Sequence, residues 1–95
     1  MNSNYYESVV LATIDRLLKE DKTCGQLTLV KEARLGNVTI IAATRRLEEK
    51  GRLKVIRGLP GQRYHYEILD PPNDFDLMAL AVHLESRDKN GVDNG

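Results

Sequence analysis

The stretch 38–53, VTIIAATRRLEEKGRL, limits the fold of this chain more than any other part of it. It predicts a helix, because small or apolar residues recur at helical spacing along one side, namely Ile40, Ala43, Thr44 and Leu47. Gly51 follows the last turn, where a glycine readily takes the left-handed conformation that ends a helix. The opposite side would face outward, and it carries Val38, Ala42, Arg45 and Glu49, with Arg46 at its edge.

A second, shorter helix is expected just before this one. The segment Leu27–Leu35 offers Leu29, Val30 and Ala33 as its inward-facing residues. The turn Leu35-Gly36-Asn37 follows, in which we expect Gly36 to take a positive φ angle and Asn37 to cap the next helix. Two helices joined by so short a glycine-containing turn form a helix-turn-helix pattern.

The chain begins with a predicted amphipathic helix over residues 4–21. Asn4 and Glu7 have the spacing of a capping box, and apolar side chains recur at helical spacing from Tyr6 to Leu18. We interpret this helix as scaffold. The alternative is that its exposed edge, including Tyr5, contributes to a dimer.

Residues 52–69 are predicted to form a β-hairpin. A short β-prone run contains Leu53, Val55 and Ile56, and Tyr64, Tyr66 and Ile68 later alternate with polar residues. Alternation with a period of two is typical of a strand with one buried face. Pro60 and Gly61 suit the central positions of a type II turn between the strands.

The C-terminal part begins with Asp70-Pro71-Pro72, which ends the second strand because proline cannot donate to a ladder. A helix capped by Asn73 or Asp74 should then run to about Ser86. Its apolar arc is wide enough for two partners, so we expect homodimerisation through Leu77, Met78, Leu80, Ala81 and Leu84. A purely intrachain role for these residues is the alternative. We therefore divide the chain into a domain at 1–69, a C-terminal helix at 70–87 and a disordered tail at 88–95.

Charge is distributed unevenly along the chain, although the formal net charge is zero. Residues 31–65 contain nine basic and three acidic side chains, an excess of six positive charges that the remainder balances. Clustered lysine and arginine side chains favour a polyanionic partner, because phosphate contacts require them.

Several classes of function are disfavoured by what the sequence contains. Cys24 is the single cysteine, and the two histidines His65 and His83 are far apart in sequence, so we expect no disulfide, metal or cofactor. No arrangement of nucleophile and base suggests an enzyme. We also expect no secretion signal, no membrane span and no small-molecule ligand, which makes a cytoplasmic location the default.

The combination of Leu35-Gly36, a helix ending in LEEKG and a Leu-Pro-Gly hairpin turn resembles the winged helix-turn-helix family over roughly residues 5–69. The resemblance implies an α+β fold in which a three-helix core carries a two-stranded β wing, here with an additional C-terminal helix. It also implies a small stand-alone transcriptional regulator, repressor-like, that binds double-stranded DNA and works in the cytoplasm on the nucleoid.

In that family the second helix of the motif enters the major groove. Transferred to this chain, the resemblance places helix 37–50 against base edges, through Asn37, Val38, Thr39, Ala42, Arg45 and Arg46. The wing would contact the backbone or the minor groove through Lys54, Arg57 and Arg63. A dimer would bind half-sites about one helical turn apart.

A second hypothesis is a winged-helix module for protein interaction, or a replication or partition accessory, with little direct DNA readout. The apolar residues Ile41 and Leu59 favour it. Charge placement separates the two hypotheses. Basic residues that share a face without carboxylates would favour DNA, whereas interleaved Glu48, Glu49 and Glu67 would favour the protein module.

Overall fold

The computed structural model describes residues 3–20, 25–56 and 65–94, and the side chains of residues 4–20, 25–56 and 65–86. Within these ranges the chain is α+β, with four helices and one two-stranded antiparallel sheet. The elements in order are α1 (Ser3–Lys19), α2 (Gln26–Ala33), α3 (Asn37–Glu49), β1 (Leu53–Ile56), β2 (His65–Ile68) and α4 (Asp74–Asn94). This arrangement is compatible with a winged helix.

The hydrophobic core lies around α1, which contacts each of the other three helices. Its residues Val9, Val10, Ile14 and Leu17 are fully buried, as their helical spacing predicts. The neighbouring elements contribute Leu29 and Ala33 from α2, Ile40, Ala43 and Leu47 from α3, Leu53 from β1 and Tyr66 from β2. The predicted inward faces are confirmed at these residues, whereas Leu18 on the predicted face of α1 is 41% exposed. Val30 and Thr44, predicted to face inward on α2 and α3, are half-buried.

The turn between α2 and α3 differs from the prediction. Arg34, rather than Gly36, has a positive φ angle, of 54°, and it ends α2 in the left-handed conformation. Gly36 is the N-cap of α3 with an extended backbone, at φ −67°. Asn37 is already the first helical residue, and its side-chain oxygen accepts a hydrogen bond from the Gln26 amide instead of capping α3. The chain thus reverses direction at the end of α2, where an αL residue commonly stands.

The end of α3 follows the prediction. Gly51 has a φ angle of +74°. Its N–H donates to the Glu48 carbonyl at 3.1 Å, and the Arg52 N–H donates to the Leu47 carbonyl at 3.0 Å. These two bonds form a Schellman motif, which satisfies carbonyl groups that the helix leaves unpaired. The chain is thereby directed from α3 into β1.

The two strands pair with Leu53 opposite Ile68 and Ile56 opposite His65. Leu53 and Tyr66 face the core, and Lys54 and Glu67 lie opposite each other on the exposed face. His65 is exposed and Tyr66 is buried, as expected. The predicted Pro60-Gly61 turn and Tyr64 lie outside the described residues.

The C-terminal helix begins with a reciprocal cap. The Asn73 side chain accepts from the Asp76 N–H at 2.9 Å, and the Asp76 carboxylate accepts from the Asn73 N–H at 3.0 Å. Helix α4 packs on α1 in the antiparallel sense, because Ser8 meets Asp76 and Tyr5 meets His83. Within the described ranges, no helix combines the length and apolar character needed to cross a bilayer.

Helix α4 is longer than the sequence suggested. Its backbone continues past Ser86, where the sequence predicts the end of the helix, to Asn94. Polar composition alone does not end a helix that is already formed, because each further residue adds one hydrogen bond to an existing turn. No proline interrupts residues 73–94.

Candidate nucleic-acid interface

The outer side of α3 is the surface that the sequence assigns to DNA. Burial of Ile40, Ala43 and Leu47 turns the opposite side of the helix to solvent. Val38 is 80% exposed there, and Arg45 and Arg46 are also exposed. At 3.6 residues per turn, Val38 and Arg45 lie on one line along the helix, whereas Arg46 lies about a quarter-turn away.

The remaining predicted residues of α3 are placed less favourably. Asn37 is exposed, but its side-chain oxygen already accepts a hydrogen bond from Gln26. Thr39 and Ala42 are half-buried. The outer surface of α3 therefore offers two unshielded guanidinium groups beside an apolar residue, and few further polar groups.

The side chains of Arg45 and Arg46 make no hydrogen bond or ion pair with any other residue in the described part of the chain. An exposed guanidinium has five N–H donors in a fixed geometry that matches phosphate oxygens and the guanine edge. These two side chains are thus chemically able to bind a polyanion without first breaking an internal pair.

Helix α3 and the sheet meet at a small cavity of about 160 Å³. Its wall combines three apolar side chains with four that carry polar groups, and it is formed by Gln26, Ile40, Ile41, Thr44, Arg45, Val55 and Tyr66. Because Arg45 belongs to this wall, it lies on the side of α3 that faces the hairpin. The part of the hairpin that Arg45 approaches is its core-facing side, to which Val55 and Tyr66 belong.

The hairpin contributes one described basic residue, Lys54, on its exposed face. Lys54 stands directly opposite Glu67 in the strand register, and residues so paired have Cβ atoms about 5 Å apart. The positive charge of Lys54 is therefore locally offset. Arg57 and Arg63, the other two predicted wing residues, lie outside the described residues.

Carboxylates also interrupt the α3 surface. Glu49 is exposed one turn after Arg45, and Glu48 is half-buried with an interaction partner of its own. Basic and acidic residues are thus interleaved at Glu49 and Glu67, the pattern that favours a protein-binding module. Arg45 and Arg46 nevertheless remain unpaired among the described residues.

Two bases that contribute to the excess of positive charge in the middle of the sequence have structural roles. Lys50 donates to the buried carboxylate of Glu7 at 2.7 Å and to the Asn4 side chain at 3.2 Å. Arg52 donates to Asp70 and to Asp76, both at 2.9 Å. Neither charge is free to meet a phosphate without losing these partners, so the cationic surface is smaller than the sequence suggested.

Asp76 is the centre of this polar network. The Ser8 hydroxyl donates to one carboxylate oxygen at 2.6 Å, and Arg52 and the Asn73 N–H donate to the other. Burial alone would raise the pKa of Asp76, but the hydrogen bonds from Arg52, Ser8 and Asn73 outweigh it and hold that pKa below its ordinary value. The network fixes the start of α4 against α1 and the chain leaving α3.

A second buried polar contact fixes α4 about two turns further along. The His83 ring is buried, and its Nε2 lies 2.8 Å from the Ala33 carbonyl at the end of α2. Its Nδ1 lies 3.0 Å from the Tyr5 hydroxyl on α1. With Nε2 protonated and donating to the carbonyl, Nδ1 accepts from the tyrosine. Sequence reasoning missed this contact, although a histidine on the apolar side of an amphipathic helix was a visible signal.

The predicted dimerisation residues divide into two groups. Leu80 is buried and Leu84 is half-buried, and both pack with the core of the same chain, which is the intrachain role that the sequence leaves as the alternative. Leu77, Met78 and Ala81 are exposed. Helix α4 therefore has the wide apolar arc that the sequence predicts, and the side with Leu80 and Leu84 packs on the core of the same chain.

Comparison with known proteins adds no assignment. No family model, no curated protein and no solved structure matches this chain. Among the described residues, no group of three or more histidine, cysteine, aspartate and glutamate side chains is placed to hold a metal ion.

Proposed function

We propose that this protein binds double-stranded DNA as a small transcriptional regulator of the winged helix-turn-helix type, acting in the cytoplasm on the nucleoid. The observation that carries the proposal is the pair of exposed guanidinium groups on α3, Arg45 and Arg46, without ion-pair partners in the described structure. They belong to the second helix of a tight two-helix turn, next to a β-hairpin, as the resemblance implies.

In this proposal α3 enters the major groove. Arg45, on the outer line of α3 with Val38, is the candidate for a bidentate contact with guanine. Val38 is positioned to contact a thymine methyl group, and Arg46, a quarter-turn away, to contact a backbone phosphate. The hairpin would lie along the flanking backbone through Lys54, Arg57 and Arg63.

The alternative is a winged-helix module that binds another protein. Two observations support it: the 80% exposure of the apolar Val38, and the carboxylates of Glu49 and Glu67 beside the basic residues. A protein surface tolerates mixed charge and exposed apolar groups, whereas every carboxylate near a phosphate is repelled.

The decisive experiment selects bound sequences from a random duplex pool at near-physiological salt. We expect enrichment of a short motif, and Arg45→Ala should change which bases are enriched. Absence of any DNA binding even at low salt would refute the proposal and leave the protein-binding module.

The salt dependence of binding to random duplex then separates base from phosphate contacts. Each neutralised phosphate contributes about 0.9 to the slope of log affinity against log salt. Arg57→Ala and Arg63→Ala should each reduce that slope without altering sequence preference. The matched control is Lys19→Ala, which removes a basic residue of α1 whose ion pair is with Asp15. Unchanged slopes in both wing variants would remove the wing from the interface.

A further inference from the structure

The cavity between α3 and the core-facing side of the hairpin combines an apolar wall with a positive charge. Its volume is about 160 Å³. A cavity of about 150 Å³ with aliphatic walls takes up a benzene ring, whereas a water molecule needs a share of only about 30 Å³. The space is therefore large enough for a small ring or a branched alkyl group.

Helix α3 forms one wall of this cavity with two neighbouring pairs of residues. Ile40 and Thr44 lie on one line and Ile41 and Arg45 on the next, because residues four apart are neighbours on a helix. Ile40 is buried and Thr44 half-buried, so the first pair lies at the bottom of the cavity. Ile41 is 41% exposed and Arg45 is also exposed, so the second pair lies at its mouth.

The sheet forms the opposite wall. Val55 is half-buried on β1, and Tyr66 is buried directly opposite it on β2. The apolar side chains of the cavity thus come from both walls, with Ile40 and Ile41 on α3 and Val55 on β1. An apolar group placed between them is removed from water, which favours binding.

Arg45 determines which charge the cavity prefers. It is the single charged residue among the described residues of the wall, so no carboxylate there opposes it. The Thr44 hydroxyl already donates to the Ile41 carbonyl at 3.0 Å, and the Gln26 amide already donates to Asn37. The Arg45 side chain has no such partner in the described part of the chain. Its guanidinium presents paired N–H donors that match the two oxygens of a carboxylate.

We propose that this cavity binds a small carboxylate whose apolar body is about the size of benzene. The carboxylate pairs with the Arg45 guanidinium at the mouth, and the apolar body packs between Ile40, Ile41 and Val55. This proposal replaces the expectation, drawn from the sequence, that the protein has no small-molecule ligand. The sequence does not reveal the cavity, because α3 and the sheet meet only in the folded chain.

The ligand would also oppose DNA binding, a step that rests on the proposed function. The donors of Arg45 that bind a carboxylate are the same donors that would bind guanine. The carboxylate would also bring a negative charge toward the phosphates. A small carboxylate in this cavity thus acts as an inducer that releases the protein from DNA.

Titration of the full chain with benzoate tests the site without DNA. Two-dimensional NMR spectra of the isotope-labelled protein should show shifts of the amide signals of the cavity residues. We expect a dissociation constant of about 1 mM or below for a ligand of this size. Acetate keeps the charge without the ring, and benzyl alcohol keeps the ring without the charge. Each should bind roughly 10-fold more weakly than benzoate, or worse.

Two pairs of variants test the position of the ligand. Arg45→Ala should weaken benzoate binding roughly 10-fold or more. Arg46→Ala removes a neighbouring exposed arginine outside the cavity wall and should leave it unchanged. Val55→Thr keeps the branched shape but places a hydroxyl in the apolar wall, so it should weaken benzoate binding. Its control is Ile56→Thr, because Ile56 is 42% exposed and faces the other side of β1. Circular dichroism confirms that all four variants are folded.

Three results would overturn the proposal. The first is a wild type whose cavity signals do not shift at tens of millimolar benzoate. The second is acetate that binds as tightly as benzoate. The third is an equal loss of affinity in Arg45→Ala and Arg46→Ala, because binding would then be that of any anion on a basic surface.

The effect on DNA is measured separately. Benzoate at ten times its dissociation constant should weaken binding of the wild type to duplex DNA about 10-fold by competition, with an equal concentration of acetate as the salt control. An unchanged DNA affinity would refute the inducer role. A chain that binds benzoate but no DNA would refute the proposed function and leave the cavity site intact. A chain that binds DNA but not benzoate would refute the cavity site alone.

Discussion

The half-buried Arg52 guanidinium and the buried Asp76 carboxylate form an ion pair at 2.9 Å that joins the end of α3 to the start of α4. Asp70 shares the same guanidinium, at 2.9 Å, where the chain leaves β2. One arginine thus connects the chain after α3 to two carboxylates that lie 18 and 24 residues later in the sequence. Arg52 belongs to the positively charged segment 31–65, but its role here is structural.

Asp76→Asn should destabilise the protein strongly. The substitution keeps the shape of the side chain but removes the charge of the carboxylate that accepts from Ser8, Arg52 and the Asn73 N–H, and leaves Arg52 with Asp70 alone. Losing hydrogen bonds to a buried charged group in this way costs about 1.5–3 kcal/mol. Chemical denaturation at neutral pH measures the change. Asp74→Asn is the matched control, since Asp74 is exposed in the same first turn of α4, and it should cost under about 1 kcal/mol. Equal effects of the two variants would contradict the assigned role of Asp76.

The pH dependence of stability should also trace to Asp76. Its native pKa lies below the ordinary 3.8 of an aspartate, so the unfolded state binds a proton at a higher pH than the native state does. The stabilisation is therefore complete well above pH 3.8 and is lost as the pH falls through the native pKa. Thermal melting between pH 2 and 7 should show a shallower acid limb for Asp76→Asn than for the wild type. Parallel limbs would mean that other carboxylates govern acid unfolding.

Lys50 and Arg46 should differ in their effect on DNA binding, although both are exposed bases near the end of α3. Lys50 is paired with Glu7 at 2.7 Å, whereas Arg46 has no partner among the described residues. Arg46→Ala should lower the salt slope by about 0.9, the value for one phosphate contact. Lys50→Met should leave that slope unchanged and should reduce stability instead. If the slope of log affinity against log salt fell equally in both variants, then an internal ion pair would not prevent a base near α3 from contacting phosphate.

The helices and their buried faces could be predicted from the sequence because burial follows a simple period. Ile40, Ala43 and Leu47 recur at helical spacing, and they are buried. Tyr66 alternates with polar neighbours, and it faces the core. Periodicity identifies which side of an element is buried, but it does not identify what covers that side. For this reason the sequence alone does not distinguish contact with a second copy from the packing that Leu80 and Leu84 make on their own core.

The candidate site depends on information that local sequence lacks. The partner of Lys50 is Glu7, 43 residues away, and Asp76 lies 24 residues from Arg52. Whether a base is free for a ligand depends on such distant pairs, so a count of charges along the sequence overestimated the cationic surface. The capping box of Asn73 and Asp76 was visible as a spacing, but its role in binding Arg52 was not.

Gly36 and Gly51 should respond differently to substitution by alanine, because only Gly51 has a positive φ angle. Gly51 has a φ angle of +74°, a conformation in which a side chain is strained, so Gly51→Ala should cost about 1 kcal/mol. Gly36 has a φ angle of −67° and open space where a Cβ would stand. Alanine at this position lowers the conformational entropy of the unfolded chain, which raises the free energy of unfolding by about 0.4–1 kcal/mol. Alanine is also a poorer N-cap than glycine, and this loss offsets the gain.

The test compares the free energies of unfolding of the two variants, measured by urea denaturation. We expect the value for Gly36→Ala to lie within about 0.5 kcal/mol of the wild type. If Gly36→Ala were as destabilising as Gly51→Ala, then Gly36 would need a positive φ angle after all. The turn before α3 would then have the conformation that the sequence predicted, and α3 would enter the domain at a different angle. Because the orientation of α3 determines where Arg45 points, this pair of variants also tests the geometry on which the DNA proposal depends.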